Sequence, residues 1–130
     1  MPQKPLVAIV DDDESIRDST KDLLDAAGFA AATFPSAESF LESDRRRSTA
    51  CLVTDVRMRG MTGLELHQDL VASGTHIPTI LITAYPDDRV RARARKAGVL
   101  CYLIKPFTPD ELLECVRSAL AGGDAAGEKA

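Results

Sequence analysis

LVAIVDDD, residues 6–13, sets five consecutive apolar residues directly before three aspartates. A strand with one wet face alternates apolar and polar side chains. A run that is apolar at every position belongs instead to a strand covered on both faces, as in a parallel sheet packed between helices. Strand-length runs recur outward from this one: AATF from Ala31, CLVTDV from Cys51, TILIT from Thr79 and CYLI from Cys101. Four of the five are apolar on consecutive residues, and AATF, the weakest, suits a sheet edge. The segments between them carry helical spacing. Ile16, Thr20, Leu23, Leu24 and Ala27 share one face of a first helix that stops at Gly28, because glycine enters the left-handed cap conformation without strain. Gly74 and Gly98 stop later helices in the same way. Spacing predicts further helices over 37–41, 64–71, 90–97 and 112–120, the last with Asp110 and Glu111 at its positive end. Five strand–helix repeats imply an α/β fold: a doubly wound, five-stranded parallel sheet with right-handed crossovers and helices on both faces. Functional groups in such a sheet gather at the carboxyl ends of the strands.

Composition narrows the function classes. A chain of 130 residues is the size of one domain, and 45% hydrophobic with 28% charged residues is the balance of a globular protein. No apolar run approaches the roughly 20 residues of a membrane helix, and the start MPQKPLVAIV lacks a signal peptide's long apolar stretch, so a cytoplasmic location with no membrane partner is expected. The net charge of −4 offers nucleic acid no general attraction. Cys51, Cys101 and Cys115 are odd in number and widely spaced, which favours free, buried thiols over a metal site or a disulfide. The polar, Gly/Ala-rich residues 122–130 read as a flexible tail or linker stub beyond a single domain over 1–121.

The chemically capable residues all fall at the carboxyl ends of the apolar runs. Asp11, Asp12 and Asp13 follow the first, Asp55 ends the third, Thr83 the fourth, and Lys105 with Pro106 the fifth. If the first and third strands are neighbours, Asp11, Asp12 and Asp55 converge. Carboxylates that close resist ionising unless a cation sits among them, and hard oxygen ligands favour Mg²⁺ or Ca²⁺, with Mg²⁺ suited to a cluster that keeps open water positions. A hydroxyl from Thr83 and an ammonium from Lys105 would serve a phosphoryl group held by that metal. Asp13, before Glu14 and Ser15, reads as a helix N-cap. His67 and His76 lack a paired acid or metal spacing and read as surface or loop residues without a role. Arg89, Arg91, Arg93, Arg95 and Lys96 surround a helix whose Val90, Ala94 and Ala97 turn inward, a solvated face that could also dock an acidic surface.

The stretches VAIVDDDE, LVTDVRMRGMTGLEL, ILITA and YLIKPF, in this order, resemble the receiver domains of bacterial two-component response regulators, over residues 6 to about 120. The resemblance implies a flavodoxin-like receiver fold of strand order 2-1-3-4-5. It implies that Asp55 accepts a phosphoryl group from a sensor histidine kinase or phosphotransfer protein. Asp11, Asp12, Asp55 and the backbone carbonyl of Arg57 would hold Mg²⁺, Thr83 would be the switch hydroxyl, Lys105 the phosphoryl contact and Tyr102 the switch aromatic. It further implies a cis Lys105–Pro106 bond, and a readout face on the fourth helix, fifth strand and fifth helix that meets a downstream protein or a second copy. Such a domain is a switch and not a turnover enzyme. The acidic run and the KPF ending look most like the FixJ-like group.

Three departures and two rivals bear on this. Arg59 stands where the family usually has Pro after Met, which suggests a looser loop. Arg57 and Tyr85 occupy positions that in the family tune access of water to the acyl phosphate. No output domain is expected after the fifth helix, so the chain is either a single-domain regulator or the receiver part of a longer transcriptional regulator. Haloacid-dehalogenase-like phosphatases also use an Asp after a first strand with Thr or Ser, Lys and Mg²⁺, and Asp11 with Asp13 mimics their pair. Glu14 and Ser15 break the continuation, however, and the later acidic pair is missing. An interaction module that has kept the fold without the chemistry is opposed by the intact acids, Thr83 and Lys105.

Overall fold

Successive strand side chains point to opposite faces of a sheet, so a consecutive apolar run needs two cores, and this chain has them. The structure, a computed structural model, describes residues 4–121. The strands are β1 (Leu6–Val10), β2 (Ala30–Phe34), β3 (Thr49–Asp55), β4 (Thr79–Thr83) and β5 (Cys101–Ile104), all parallel in the order β2-β1-β3-β4-β5. Alternating with them are the helices α1 (Glu14–Ala26), α2 (Ala37–Leu41), α3 (Gly63–Ala72), α4 (Asp88–Lys96) and α5 (Pro109–Leu120). Val7, Ile9, Cys51, Val53, Ile80 and Ile82 face α1 and α5, where Leu24, Leu112 and Val116 complete one core. Ala8, Val10 and Leu52 face the other side, against Phe40 of α2 and Leu66 and Leu70 of α3. Leu81 packs in a third cluster with Val56, Leu64 and Ala94 of α4. This is the expected doubly wound α/β fold.

The helices begin earlier than their apolar spacing suggests, because capping side chains add a polar first turn. Thr62 and Thr108 each pair reciprocally with the glutamate three residues on, Glu65 and Glu111, and Pro109 opens α5 where no N–H is needed. Asp87 caps α4, and Asp13 caps α1 by accepting from the N–H groups of Ser15 and Ile16. Gly28, Gly74 and Gly98 all have positive φ at the helix stops.

Four expectations need correction. His67 is not a surface or loop residue: it is buried on the same face of α3 as Leu64 and Leu70. Its Nε2–H donates to the Ala97 carbonyl, and its Nδ1 pairs with the Thr79 hydroxyl, both at 2.9 Å. Polar partners on β4 and at the end of α4 satisfy a ring that spacing alone cannot place. Ala27 is exposed because it sits past the last turn of α1. Strand β5 is only half covered, and Ile104 is 40% exposed, because β5 is the second edge of the sheet. Of the three thiols, all free, only Cys51 is fully buried, while Cys101 and Cys115 are half-buried. His76 is exposed as expected. Among the described residues no helix is long and apolar enough to cross a membrane. The expected tail at 122–130 lies outside the described residues.

Candidate functional site

Strands β1 and β3 are adjacent and parallel, with Val10 opposite Thr54, so Asp11 and Asp55 leave the sheet side by side. One carboxylate oxygen from each of Asp11, Asp12 and Asp55 lies within 4.8 Å of the others. Asp11 is buried, Asp55 half-buried and Asp12 exposed, which leaves the cluster open on one side. The backbone fixes its placement. The Asp11 N–H donates to the Phe34 carbonyl at 3.1 Å, and the Asp13 N–H donates to Asp11 Oδ1 at 2.9 Å. The Arg59 N–H reaches Asp12 Oδ2 at 3.4 Å, tying the loop after β3 to the end of β1.

Lys105, which ends the fifth strand run, closes the cluster from the far side. The Lys105 N–H donates to the Thr83 carbonyl at 2.8 Å, and the Lys105–Pro106 peptide is cis. The ammonium lies 3.8 Å from Asp11 Oδ2 and 3.9 Å from Asp55 Oδ2, shared between the two. Burial nevertheless dominates both carboxyls. Asp55 is pushed up from 3.8 to about 6 by loss of solvation, against the pull of Lys105 and with further upward pressure from Asp11 and Asp12. Asp11 is raised for the same first reason, opposed by the Asp13 N–H and by Lys105. A site in which one ammonium leaves two acids still reluctant to ionise is short of positive charge, and its donors are all hard oxygens. That donor set fits Mg²⁺.

Thr83 is buried at the end of β4, and its hydroxyl accepts the Tyr85 N–H at 3.0 Å. Tyr85 is 63% exposed, and the Arg57 guanidinium stacks on its ring at 4.8 Å from the centroid. This pair brings together the two positions flagged from sequence as tuning water access. Tyr102, half-buried on β5, packs in the α4 cluster. Its hydroxyl accepts the Asp87 N–H at 3.4 Å, and Arg91 lies over its ring at 5.5 Å. All the strand-end residues singled out from sequence therefore stand at the carboxyl end of the sheet, except that the Asp13 side chain turns away to cap α1.

Three supporting residues escaped the sequence reading. Arg17 Nη1 donates to the Asp11 carbonyl at 2.8 Å, pinning the end of β1. Glu38 Oε2 accepts the Met61 N–H at 3.1 Å and braces the loop after β3. Gly63 packs so closely that a Cβ there would overlap the Asp55 backbone carbonyl. The T-x-x-E pattern of Thr62 and Glu65 could have placed Gly63 at a helix start beside β3, but nothing local marks Arg17 or Glu38.

Fold and site together define a class, the doubly wound α/β domains with an acidic pocket at the carboxyl ends of their strands. The chain belongs to the response regulator receiver domain family, whose pattern matches residues 7–117. It is 41% identical over 115 residues to the transcriptional regulatory protein TdiR of Thauera aromatica, covering 88% of this chain and 51% of that protein. It is 38% identical over 120 residues to the transcriptional regulatory protein FixJ of Azorhizobium caulinodans, covering 92% and 57%. The crystal structure of FixJ-N superposes with a TM-score of 0.84 at 37% identity, over 93% of this chain and 97% of that one. The chain spans about half the length of the curated relatives it matches. It is a response-regulator receiver domain of two-component systems, and receiver domains are in general signalling domains and not turnover enzymes. Receiver domains bind Mg²⁺ at an acidic pocket, and this chain carries an acidic cluster.

Proposed function

We propose that Asp55 is the phosphoacceptor of this domain and that Asp11, Asp12, Asp55 and the Arg57 carbonyl hold Mg²⁺ beside it. The observation that carries the reading is the convergence of three carboxylates within 4.8 Å with an ammonium shared between two of them. Mg²⁺, when bound, supplies the positive charge that keeps these carboxylates ionised and offsets charge on the transferring oxygens.

The chain's own residues do the rest. An Asp55 carboxylate oxygen attacks the phosphorus of a phosphohistidine on a sensor histidine kinase or phosphotransfer protein; the P–N bond breaks, the imidazole leaves, and an acyl phosphate forms. Lys105 shifts from the two carboxylates to a phosphoryl oxygen. The Thr83 hydroxyl donates to another oxygen, and its inward movement opens space for Tyr102 to rotate. We assign the receiver unit to residues 1–121 and read 122–130 as a tail or linker stub outside it. The domain works in the cytoplasm, as a single-domain regulator or as the receiver of a longer transcriptional regulator.

The readout face is α4, β5 and α5, meeting a downstream protein or a second copy, with no nucleic acid or membrane contact by this domain. Arg89, Arg91, Arg93, Arg95 and Lys96 are exposed on α4 and suit an acidic partner. The test of the acceptor is intact mass after incubation with acetyl phosphate, with and without Mg²⁺, beside Asp55→Asn. One added phosphoryl group that needs both Mg²⁺ and Asp55 is expected. An adduct that persists in Asp55→Asn would move the nucleophile elsewhere.

A further inference from the structure

We propose that Glu38 is a positioning residue for the metal site: from α2, its carboxylate sets the course of the loop after β3 and with it the backbone carbonyl of Arg57. This role rests on the reading above that the carbonyl, with Asp11, Asp12 and Asp55, takes a hard divalent cation. A backbone ligand cannot be aimed by its own side chain, so the surrounding loop must hold it in place. This loop has little stiffness of its own. Residues 57–62, RMRGMT, contain no proline, and Gly60 sits at a φ of +77°.

The restraint comes from neighbouring elements. At the base of the loop the Gly63 N–H donates to the Val56 carbonyl at 3.0 Å, and the Val56 N–H donates to the Ile82 carbonyl of β4 at 2.8 Å. Between those ends Met58 and Met61 are half-buried against the core that holds Phe40. Two N–H groups of the loop then meet carboxylates: that of Arg59 donates to Asp12 Oδ2 at 3.4 Å, and that of Met61 donates to Glu38 Oε2 at 3.1 Å. Asp12 is itself assigned to the cation, so Glu38 is the acceptor that stays outside the ligand set. Its carboxylate also covers Gly60, where a Cβ would lie 2.9 Å from Oε2. The mount beneath it is firm. Ser36 closes a capping box with Ser39, and Ala37 and Phe40 of the same turn are fully buried. Glu38 is exposed, so trimming it loosens the loop without opening a cavity in the core.

Reach and charge can be separated at this position. Glu38→Gln keeps an acceptor oxygen at the same reach and drops the charge, Glu38→Asp keeps the charge but withdraws it by one methylene, and Glu38→Ala removes both. The test is a Mg²⁺ titration of the full chain followed through its backbone amide NMR shifts, with the Tm of each variant measured in chelator. Glu38→Gln should stay within about twofold of the wild-type dissociation constant, while Glu38→Asp and Glu38→Ala should raise it about tenfold, the lower end of what outer partners of metal ligands contribute. Both weakened variants should also shift the Met61 amide resonance before any Mg²⁺ is added. Glu38→Gln binding as weakly as Glu38→Ala would assign the effect to charge and overturn the positioning role. A Glu38→Ala variant with unchanged affinity, whatever its Tm, would overturn it too while leaving the metal site intact. Wild-type protein that took up no Mg²⁺ would instead overturn the metal reading on which the role rests.

Discussion

Replacing Asp55 with Asn should stabilise this protein at neutral pH while abolishing phosphoryl acceptance. The carboxyl is pushed from 3.8 to about 6 chiefly by burial, so ionising it is harder in the fold than in the unfolded chain. At 1.36 kcal/mol per pKa unit the difference is about 3 kcal/mol. Between pH 4 and 6 the folded state keeps a proton that the unfolded state has lost. Wild-type stability therefore falls as pH rises through this window, and the full penalty is present above it. Asn mimics the protonated acid and carries no such penalty. Its advantage should be near zero below pH 4, grow through the window and level off above pH 6. In a domain of this size about 4 °C of Tm accompanies each kcal/mol, so Tm should rise by roughly 8–12 °C at pH 7.5. The assay is thermal unfolding from pH 4 to 8 in the presence of a chelator. Adding Mg²⁺ should narrow the gap, because ligand binding stabilises the folded state that binds it. An Asn variant no more stable than wild type at pH 7.5 with chelator present, or a gap independent of pH, would refute the claim that burial controls this carboxyl.

Three more outcomes follow from the geometry. Gly63→Ala drives a methyl into the Asp55 carbonyl and should lower stability by about 1–3 kcal/mol, read as a fall in the urea midpoint; an unchanged midpoint would show that the loop after β3 yields freely. Arg57→Ala/Tyr85→Ala removes the stacked pair at 4.8 Å. An exposed cation–π contact contributes about 0.5–1 kcal/mol, so loss of the pair as a cover should speed acyl phosphate decay about two- to fivefold, a claim that equal decay times would contradict. His67→Phe keeps the bulk in α3 but removes the donor to the Ala97 carbonyl and one of the two partners of the buried Thr79 hydroxyl, which still donates to the Ile77 carbonyl. A loss of about 1–3 kcal/mol is expected, and a variant as stable as wild type would show that neither bond contributes.

The sheet and the main site were legible because each is written in adjacent residues. A parallel strand buried on both faces is a short apolar run, and a strand-end site is whatever polar residue follows it. Asp11, Asp12, Asp55, Thr83 and Lys105 all sit at such ends, so locating the strands located them. What stayed hidden depends on contacts between distant segments. His67 looks like any helix polar residue until β4 and the end of α4 supply its partners. Arg17 reads as a surface charge until α1 folds back over the end of β1. Helix starts were misjudged for a different reason: the first turns are polar, held by Thr62, Asp87 and Thr108, and an apolar stripe cannot report them. The half-covered state of β5 was masked because its composition matches the central strands, and only the strand order makes it an edge.

Strand order also decides how a change at Asp55 can travel. Ile82 lies opposite both Asp55 on β3 and Leu103 on β5, and Leu81 lies opposite Tyr102, so the site and the half-buried aromatic are separated by one strand. Thr83 holds the Tyr85 N–H at the end of that strand, and Tyr102 holds the N–H of Asp87, the residue that caps α4. On the proposed mechanism, drawing the Thr83 hydroxyl toward a phosphoryl oxygen releases the first N–H, and rotating Tyr102 inward releases the second. Both losses fall on residues 85–87, the connection leading into α4. The C-terminal end of that helix remains fastened through Ala97 to His67. A helix freed at its start and held at its end pivots more readily than it slides, so the displacement should be largest at Arg89 and Arg91 and smallest near Lys96.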